Sequence, residues 1–375
     1  MTSSPSSLSA TPARRAAPTD PLATWLLNVA PCRAGPHAGA IAGCISVSGA
    51  ASYVYPEIAG YYLQWLAWRA RRYGHSAELA ERAAGVQRWL VRWLAMPGLP
   101  TRVHLDGTSD DWRNRASFVF DVAMVLRGLG AAAAAKVLVP DPSVVAGVSR
   151  ELVRLIGDDG AFVACIAHEN AGPLPDRWST RRGPFLAKAA AGVIHAAATL
   201  DRVPAALAKA AERTFQASLA ALAREPHRET HPLLYAFEGV LNLPTHPRFH
   251  DTLPVVSAQF DILLAQAGND GHLPESLGVA VGRGPSRVDV IAQALRVGHL
   301  LAAHRPQCPP DRVALARLRQ ALARQVRSSG GVAFARSVAP AQANVWATMF
   351  ADQALAFVAP TRDADAWWRS DPLVV

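Results

Sequence analysis

Six segments of this chain read as helices that are apolar on almost every face: Tyr55 to Ala70, Ser117 to Gly128, Pro184 to Ala197, His231 to Leu243, Arg287 to His299 and Asn344 to Val358. A helix without a polar stripe cannot face water on any side, so it must be walled in by other helices. Between these segments run helices with one polar face. Ser76 to Leu94 carries Trp89, Leu90, Trp93 and Leu94 on one side and Glu78, Glu81 and Arg88 on the other. Ser143 to Ile156, Pro254 to Ala267 and Asp311 to Val326 follow the same plan, and Pro254 is expected at a first helical position. Each of these last three leads into a glycine turn, at Asp159-Gly160, Asp270-Gly271 and Gly330-Gly331, where the glycine supplies the positive φ of a tight turn. The buried-type helices begin roughly fifty to seventy residues apart. A recurring unit that cannot bury its own apolar face must stack or close into a ring. The expectation is an all-α fold, an (α/α)6 barrel or toroid of alternating inner and outer helices. An open α-solenoid is the alternative, and the long, irregular polar loops argue against it. No useful Val/Ile alternation points to a parallel sheet.

Length and composition fit that reading. The chain has 375 residues, half of them hydrophobic (50%) and few charged (18%), enough for a large core. Residues 1–20, rich in Ser, Thr, Pro, Ala and Arg, read as a disordered leader, leaving 21–375 as a single toroid domain. A first helix is expected at Pro21 to Val29, and a loop or short hairpin over residues 30–52. No charge-free apolar run is long enough for a membrane span. The net charge is +9, carried almost entirely by arginine. The one basic run, Arg69 to Arg72, reads as the cationic end of a helix, so nucleic acid is not an expected partner. The cysteines, Cys32, Cys44, Cys165 and Cys308, form no CxxC pair, which argues for reduced thiols and a cytoplasmic location.

In a closed barrel the loops entering the inner helices converge over one end of a central cavity. Every inner segment carries ionisable or hydrogen-bonding groups near its start, where burial without a partner is costly. They are Tyr55 and Glu57; Asp111, Trp112, Arg113 and Asp121; Arg181, Arg182 and Lys188; His231, Tyr235 and Glu238; Arg287, Asp289 and Gln293; and Trp346, Asp352 and Gln353. Glu57 follows Pro56 in a first helical turn, where the helix dipole favours a carboxylate. His231 and Tyr235 lie one turn apart on one face, as do Asp289 and Gln293. Each also has a structural reading, as a cap or an internal ion pair. The tryptophans read mainly as core, Trp112 in its polar loop excepted. No HExxH spacing, phosphate loop or GxSxG elbow is present, and neither a metal nor a cofactor is expected. His227 and His231 are spaced i, i+4 but straddle a loop-to-helix junction.

The strings YPEIAGYYLQWL, RASFVFDVAMVLRGL, HPLLYAFEGVL, RVDVIAQALRVG and NVWATMFADQAL together resemble six-hairpin α/α-toroid proteins of bacterial polysaccharide biosynthesis. That group has relatives among glycosidases, glucuronyl C5-epimerases and N-acylglucosamine epimerases. The Asp-Gly turns also look like those of squalene-cyclase and prenyltransferase toroids. The chain lacks the DxDD acid motif of the former, since Asp106, Asp110 and Asp111 are wrongly spaced, and the Cys/His zinc ligands of lanthionine-forming toroids.

The resemblance implies acid/base chemistry on a carbohydrate of epimerase, lyase or hydrolase type, with a small-molecule or glycan substrate, acidic or lipid-linked. Glu57 and Glu238 are the first-choice carboxylate pair, with Asp121 or Asp289 as replacements. His231 or Tyr235 would relay a proton. Arg113 and Arg287 would hold an anionic group, with Tyr55, Asp111, Trp112, Arg182, Gln293 and Trp346 lining the substrate. Two other readings remain: a non-catalytic scaffold whose polar groups pair off and leave no cavity, and a cyclase or peptide-modifying enzyme with an apolar, aromatic cavity.

Overall fold

The computed structural model describes residues 20–107, 110–169, 171–224, 229–278, 287–335 and 342–357. Residues 1–19 of the expected leader, His227, Val358 and the segment 359–375 lie outside them. Among the described residues are twelve α-helices: α1 (Pro21–Asn28), α2 (Pro56–Tyr73), α3 (Ala77–Leu94), α4 (Val119–Ala134), α5 (Pro142–Arg154), α6 (Leu186–Thr199), α7 (Ala205–Arg224), α8 (Thr230–Leu241), α9 (Phe249–Ala265), α10 (Val288–His304), α11 (Arg312–Gln325) and α12 (Val345–Ala356). The even-numbered helices pack side to side in the order α2, α4, α6, α8, α10, α12, and α12 returns to α2. The ring is therefore closed. The odd-numbered helices form an outer layer, each following or preceding an inner helix in the chain. This is the (α/α)6 toroid.

Burial separates the layers as the sequence predicts. All residues of α2 from Pro56 to Trp68 are buried, whereas α3 buries only Leu79, Ala83, Val86, Trp89, Leu90 and Trp93. The inner ring is tight because glycines let backbones touch. A Cβ on Gly60 or Gly128 would collide with the facing backbone at the α2–α4 crossing, and one on Gly239 would collide with α6. The predicted turns hold too: Gly160, Gly271 and Gly330 have φ of 72°, 80° and 97°.

Two boundaries differ from expectation, and one helix lies where the sequence reading named none. Asp20, assigned to the leader, caps α1 by accepting from the Leu22 and Ala23 amides, and pairs with Arg69 at 3.0 Å. Pro254 does not start its helix. Helix α9 begins at Phe249, because burying Phe249 and Leu253 draws the preceding turn into the helix despite the amide Pro254 cannot donate. Helix α7 is a full amphipathic helix whose buried stripe runs Leu207, Ala210, Ala211, Thr214, Phe215, Ser218, Leu219 and Leu222.

Short antiparallel strands tie the entry loops together at the mouth. Strand β1 (Cys44–Ser46) pairs with β6 (Gln342–Asn344), β2 (Tyr53–Val54) with β3 (Val103–His104), and β4 (Ala116–Phe118) with β5 (Cys165–Ala167). The β1–β6 pair joins the segment before α2 to the segment before α12, clasping the ring where its two ends meet.

Candidate active site

The mouth formed by these loops opens into a cavity of about 520 Å³. Among its walls are Tyr53, Tyr55, Glu57, Arg102, Trp112, Arg113, Phe120, Asp121, Arg177, Trp178, His231, Tyr235, Arg287 and Trp346. The sequence-predicted residues Tyr55, Glu57, Trp112, Arg113, Asp121, His231, Tyr235, Arg287 and Trp346 are thus brought together.

One wall is acidic. Glu57 stands in the first turn of α2 and Asp121 in the first turn of α4, each 8% exposed. The Tyr55 hydroxyl donates to Asp121 Oδ1 at 3.1 Å, while Asp121 Oδ2 is buried with no hydrogen-bond partner among the described residues. Burial raises the Glu57 carboxyl above its ordinary range, against the opposing pull of the Tyr55 phenol and Lys188. Burial, and then the neighbouring Glu57 charge, pushes Asp121 well above the carboxylate range. The helix dipole at Glu57 favours ionisation, but desolvation outweighs it. Of the two, Asp121 is driven harder toward the protonated form, and Glu57 beside it is the carboxyl whose charge drives it there.

The facing wall is basic in the chemical sense. His231 sits in the first turn of α8, against Tyr235 (ring centroids 4.3 Å apart) and Trp178 (5.7 Å). Its Nδ1 lies 2.8 Å from Gln293 Oε1, and its other ring nitrogen makes no hydrogen bond among the described residues. Burial, reinforced by the Arg287 charge, pushes His231 down to about 3, so the imidazole is neutral at physiological pH.

The rim is cationic. Arg102, Arg113, Arg177 and Arg287 all reach the cavity. The Arg113 and Arg177 guanidinium carbons lie 4.8 and 5.9 Å from the Trp112 ring centre. Arg102 lies 4.5 Å over Tyr53, and Arg287 4.7 Å over Phe334. Asp111 and Asp289 do not line the cavity; they hold its arginines. Asp111 takes Arg113 at 3.1 Å and Arg102 at 3.5 Å. Asp289 takes Arg287 at 2.6 Å and accepts from the Trp346 indole at 3.2 Å. Burial would raise Asp289, yet the charge and hydrogen bonds of Arg287 hold it below the ordinary range.

Two expectations about the walls are corrected. Arg182 is on the surface, paired with Asp159, outside the cavity. Glu238 and Gln293 lie beneath the floor, fully buried. The Glu238 carboxylate takes Lys188 at 2.7 Å and Gln293 Nε2 at 3.2 Å on Oε2, and Arg296 on Oε1. Glu238 falls seven residues along α8 from His231, which is about 10.5 Å deeper at the α-helical rise. The first-choice pair of Glu57 and Glu238 does not share a wall, whereas Glu57 and Asp121 do. Arg102, Arg177 and Trp178 were missed. The last two repeat the Trp-Arg pairing of Trp112-Arg113 in another polar entry loop, and that repetition is a legible signal. Among the described residues no three His, Cys, Asp or Glu side chains cluster as metal ligands, and no helix is long and apolar enough to cross a membrane.

No family model matches the chain, and no curated protein sequence matches it. Solved structures do. A D-mannose isomerase superposes with a TM-score of 0.66 at 11% identity, over 90% of this chain and 96% of the other. The cellobiose 2-epimerase from Spirochaeta thermophila DSM 6192 gives 0.64 at 15%, over 90% and 93%. An unsaturated glucuronyl hydrolase specific for heparin gives 0.60 at 11%, over 90% and 93%. At these identities the likeness establishes the shared (α/α)6 fold.

Proposed function

We propose that this chain is a carbohydrate-active enzyme that transfers protons on an anionic sugar bound in the central cavity. The observation that carries the proposal is the pairing of opposites across one cavity: two neighbouring buried carboxyls, Glu57 and Asp121, both shifted toward the protonated form, face a neutral imidazole at His231. An acid and a base poised at once are what proton abstraction beside a sugar carbonyl needs. In this reading the free nitrogen of His231 takes the proton from the carbon next to the carbonyl. The carbonyl oxygen receives a proton from the Asp121 or Glu57 side, giving an enediol. A proton then returns to the neighbouring carbon while the carboxylate takes the hydroxyl proton from the other enediol carbon, completing an isomerisation, or it returns to the opposite face of the same carbon while the carboxylate takes back the proton it gave, completing an epimerisation. Tyr235 orients His231 by ring contact, and Arg113, Arg177 and Arg287 hold the anionic group. The isomerase and epimerase among the structural neighbours support this class.

A second reading rests on a specific feature. Glu57 and Asp121 influence one another's protonation, as an acid and a base of a hydrolase would. The neighbouring glucuronyl hydrolase supports it. The open cavity and the unpartnered Asp121 oxygen count against a pure scaffold, and four rim arginines count against the wholly apolar cavity of a hydrocarbon cyclase.

The test is a thermal-shift screen over uronates, neutral aldoses and isoprenoids, followed by turnover in D2O. The expected result is stabilisation by an acidic sugar and deuterium incorporated at carbon during turnover. Cleavage of a glycoside without deuterium at carbon would select the hydrolase. Full turnover in folded Glu57→Gln, Asp121→Asn and His231→Asn proteins would remove the assignment altogether.

A further inference from the structure

We infer that Gln293 is a positioning residue that fixes the tautomer of His231, turning the bare Nε2 lone pair toward the cavity, and that Glu238 fixes Gln293 in turn. The inference rests on the reading of His231 as the base and specifies how the fold makes it one.

The argument is a chain of donors and acceptors. Glu238 is held on Oε1 by the Arg296 guanidinium and on Oε2 by the Lys188 ammonium at 2.7 Å. A carboxylate in such company only accepts, so Gln293 must present its NH2 to it, as the 3.2 Å contact from Nε2 to Glu238 Oε2 records. The amide can then offer only its oxygen to the other side, where His231 Nδ1 lies 2.8 Å away. An amide oxygen has no proton to give, so Nδ1 must carry one. A neutral imidazole has a single N–H, which leaves Nε2 as the lone pair.

The opposite tautomer would set the Nδ1 lone pair against the amide oxygen and place a proton where the substrate proton must go. Asp289 Oδ2, 4.0 Å from Nδ1, is too far to replace the bond and is committed to Arg287 and Trp346. Gln293, Glu238, Lys188 and Arg296 are fully buried, and none of this quartet borders the cavity. Its role toward substrate is therefore exerted through the imidazole. The depressed His231 pKa keeps the ring neutral across the working range.

The chain has 12 histidines, so the His231 signals are assigned by their loss in His231→Asn. With histidine labelled by nitrogen-15, long-range proton–nitrogen spectra distinguish the two neutral tautomers directly. Wild type is expected to show His231 with its proton on Nδ1. Gln293→Leu, which removes the acceptor, is expected to move that proton toward Nε2 and to lower kcat at least tenfold with KM within about twofold. Gln293→Glu, whose side chain beside Glu238 keeps its proton and so retains one donor and one acceptor, is expected to restore the wild-type tautomer. A wild-type proton on Nε2, or a folded Gln293→Leu protein with unchanged His231 signals, overturns the inference. Should Gln293→Leu fail to fold, wild type and Gln293→Glu still decide it. Because the tautomer is read without turnover, its failure is distinct from failure of the proposed activity. A correct tautomer in a protein that turns over no sugar would refute the activity alone.

Discussion

The two ends of the inner ring both bury carboxylates, and they treat them in opposite ways. At the mouth, Asp121 has one oxygen with no partner among the described residues, and Glu57 beside it borders an open cavity. At the other end, about 18 Å along α2 at the helical rise, Asp352 accepts from the Trp65 indole at 2.7 Å and from Arg69 at 3.1 Å. Arg69 in turn holds Asp20, joining α12, α2 and the cap of α1 into one knot. Burial raises the acids at both ends, Asp352 to about 7. Perturbation alone therefore does not mark a site. What separates the ends is an unsatisfied oxygen beside space that a substrate can fill, against an acid whose partners are all protein.

The largest expected effect tests that contrast directly. Asp121→Asn and Glu57→Gln should lower turnover by ~10²–10⁴-fold while the fold persists, and Asp352→Asn should leave turnover within about threefold. Comparable losses in all three would erase the distinction. Next comes the floor. Glu238→Ala strands Lys188 and Arg296 without their carboxylate, and chemical unfolding should register a loss of ~3–5 kcal/mol. A loss under about 1 kcal/mol would mean that the buried cluster is not held as an ion network.

The rim should matter for binding alone. Arg177→Ala should weaken an acidic sugar by ~10–100-fold, the worth of one charge-assisted hydrogen bond, and leave a neutral aldose unchanged, as calorimetric titration would show. Equal weakening of both would sink the anionic reading.

The smallest effect concerns pH. Asp352 binds its proton in the folded state up to about 7, whereas the unfolded carboxyl releases it near 3.8. Between those values the folded state holds the extra proton, so stability falls as pH rises, by at most ~1.4 kcal/mol per pH unit. Asp352→Asn should flatten that part of the stability profile between pH 5 and 7. An unchanged slope would mean that Arg69 keeps Asp352 ionised throughout.

Much of this was legible before folding. Glu57 could be placed at the mouth from Tyr55-Pro56-Glu57, because a proline and an acid together mark a first helical turn. Asp121 and His231 were legible for the same reason, each lying within the first turn of an all-apolar helix. Glu238 was misjudged although its depth, two turns below His231, follows from the residue count, because its commitment to Lys188 and Arg296 on other helices is not written in its own segment. Asp289 was harder. It is at the right depth, but its rotation about α10 carries it under Arg287 and Trp346 rather than into the cavity. Arg177 and Trp178 reach the site from a loop with no periodicity to read.

The amino-acid sequence alone determined the alternation of greasy and amphipathic helices, the glycine turns between them and the end of the ring where polar groups gather. Those are local properties, set by side-chain hydrophobicity, helical period and backbone freedom. Only the closed ring decided which acids share a wall, which lie under the floor, and which nitrogen of His231 is left bare. Those depend on hydrogen bonds that span more than fifty residues, such as Gln293 to His231 and Gln293 to Glu238, and no local rule carries that information.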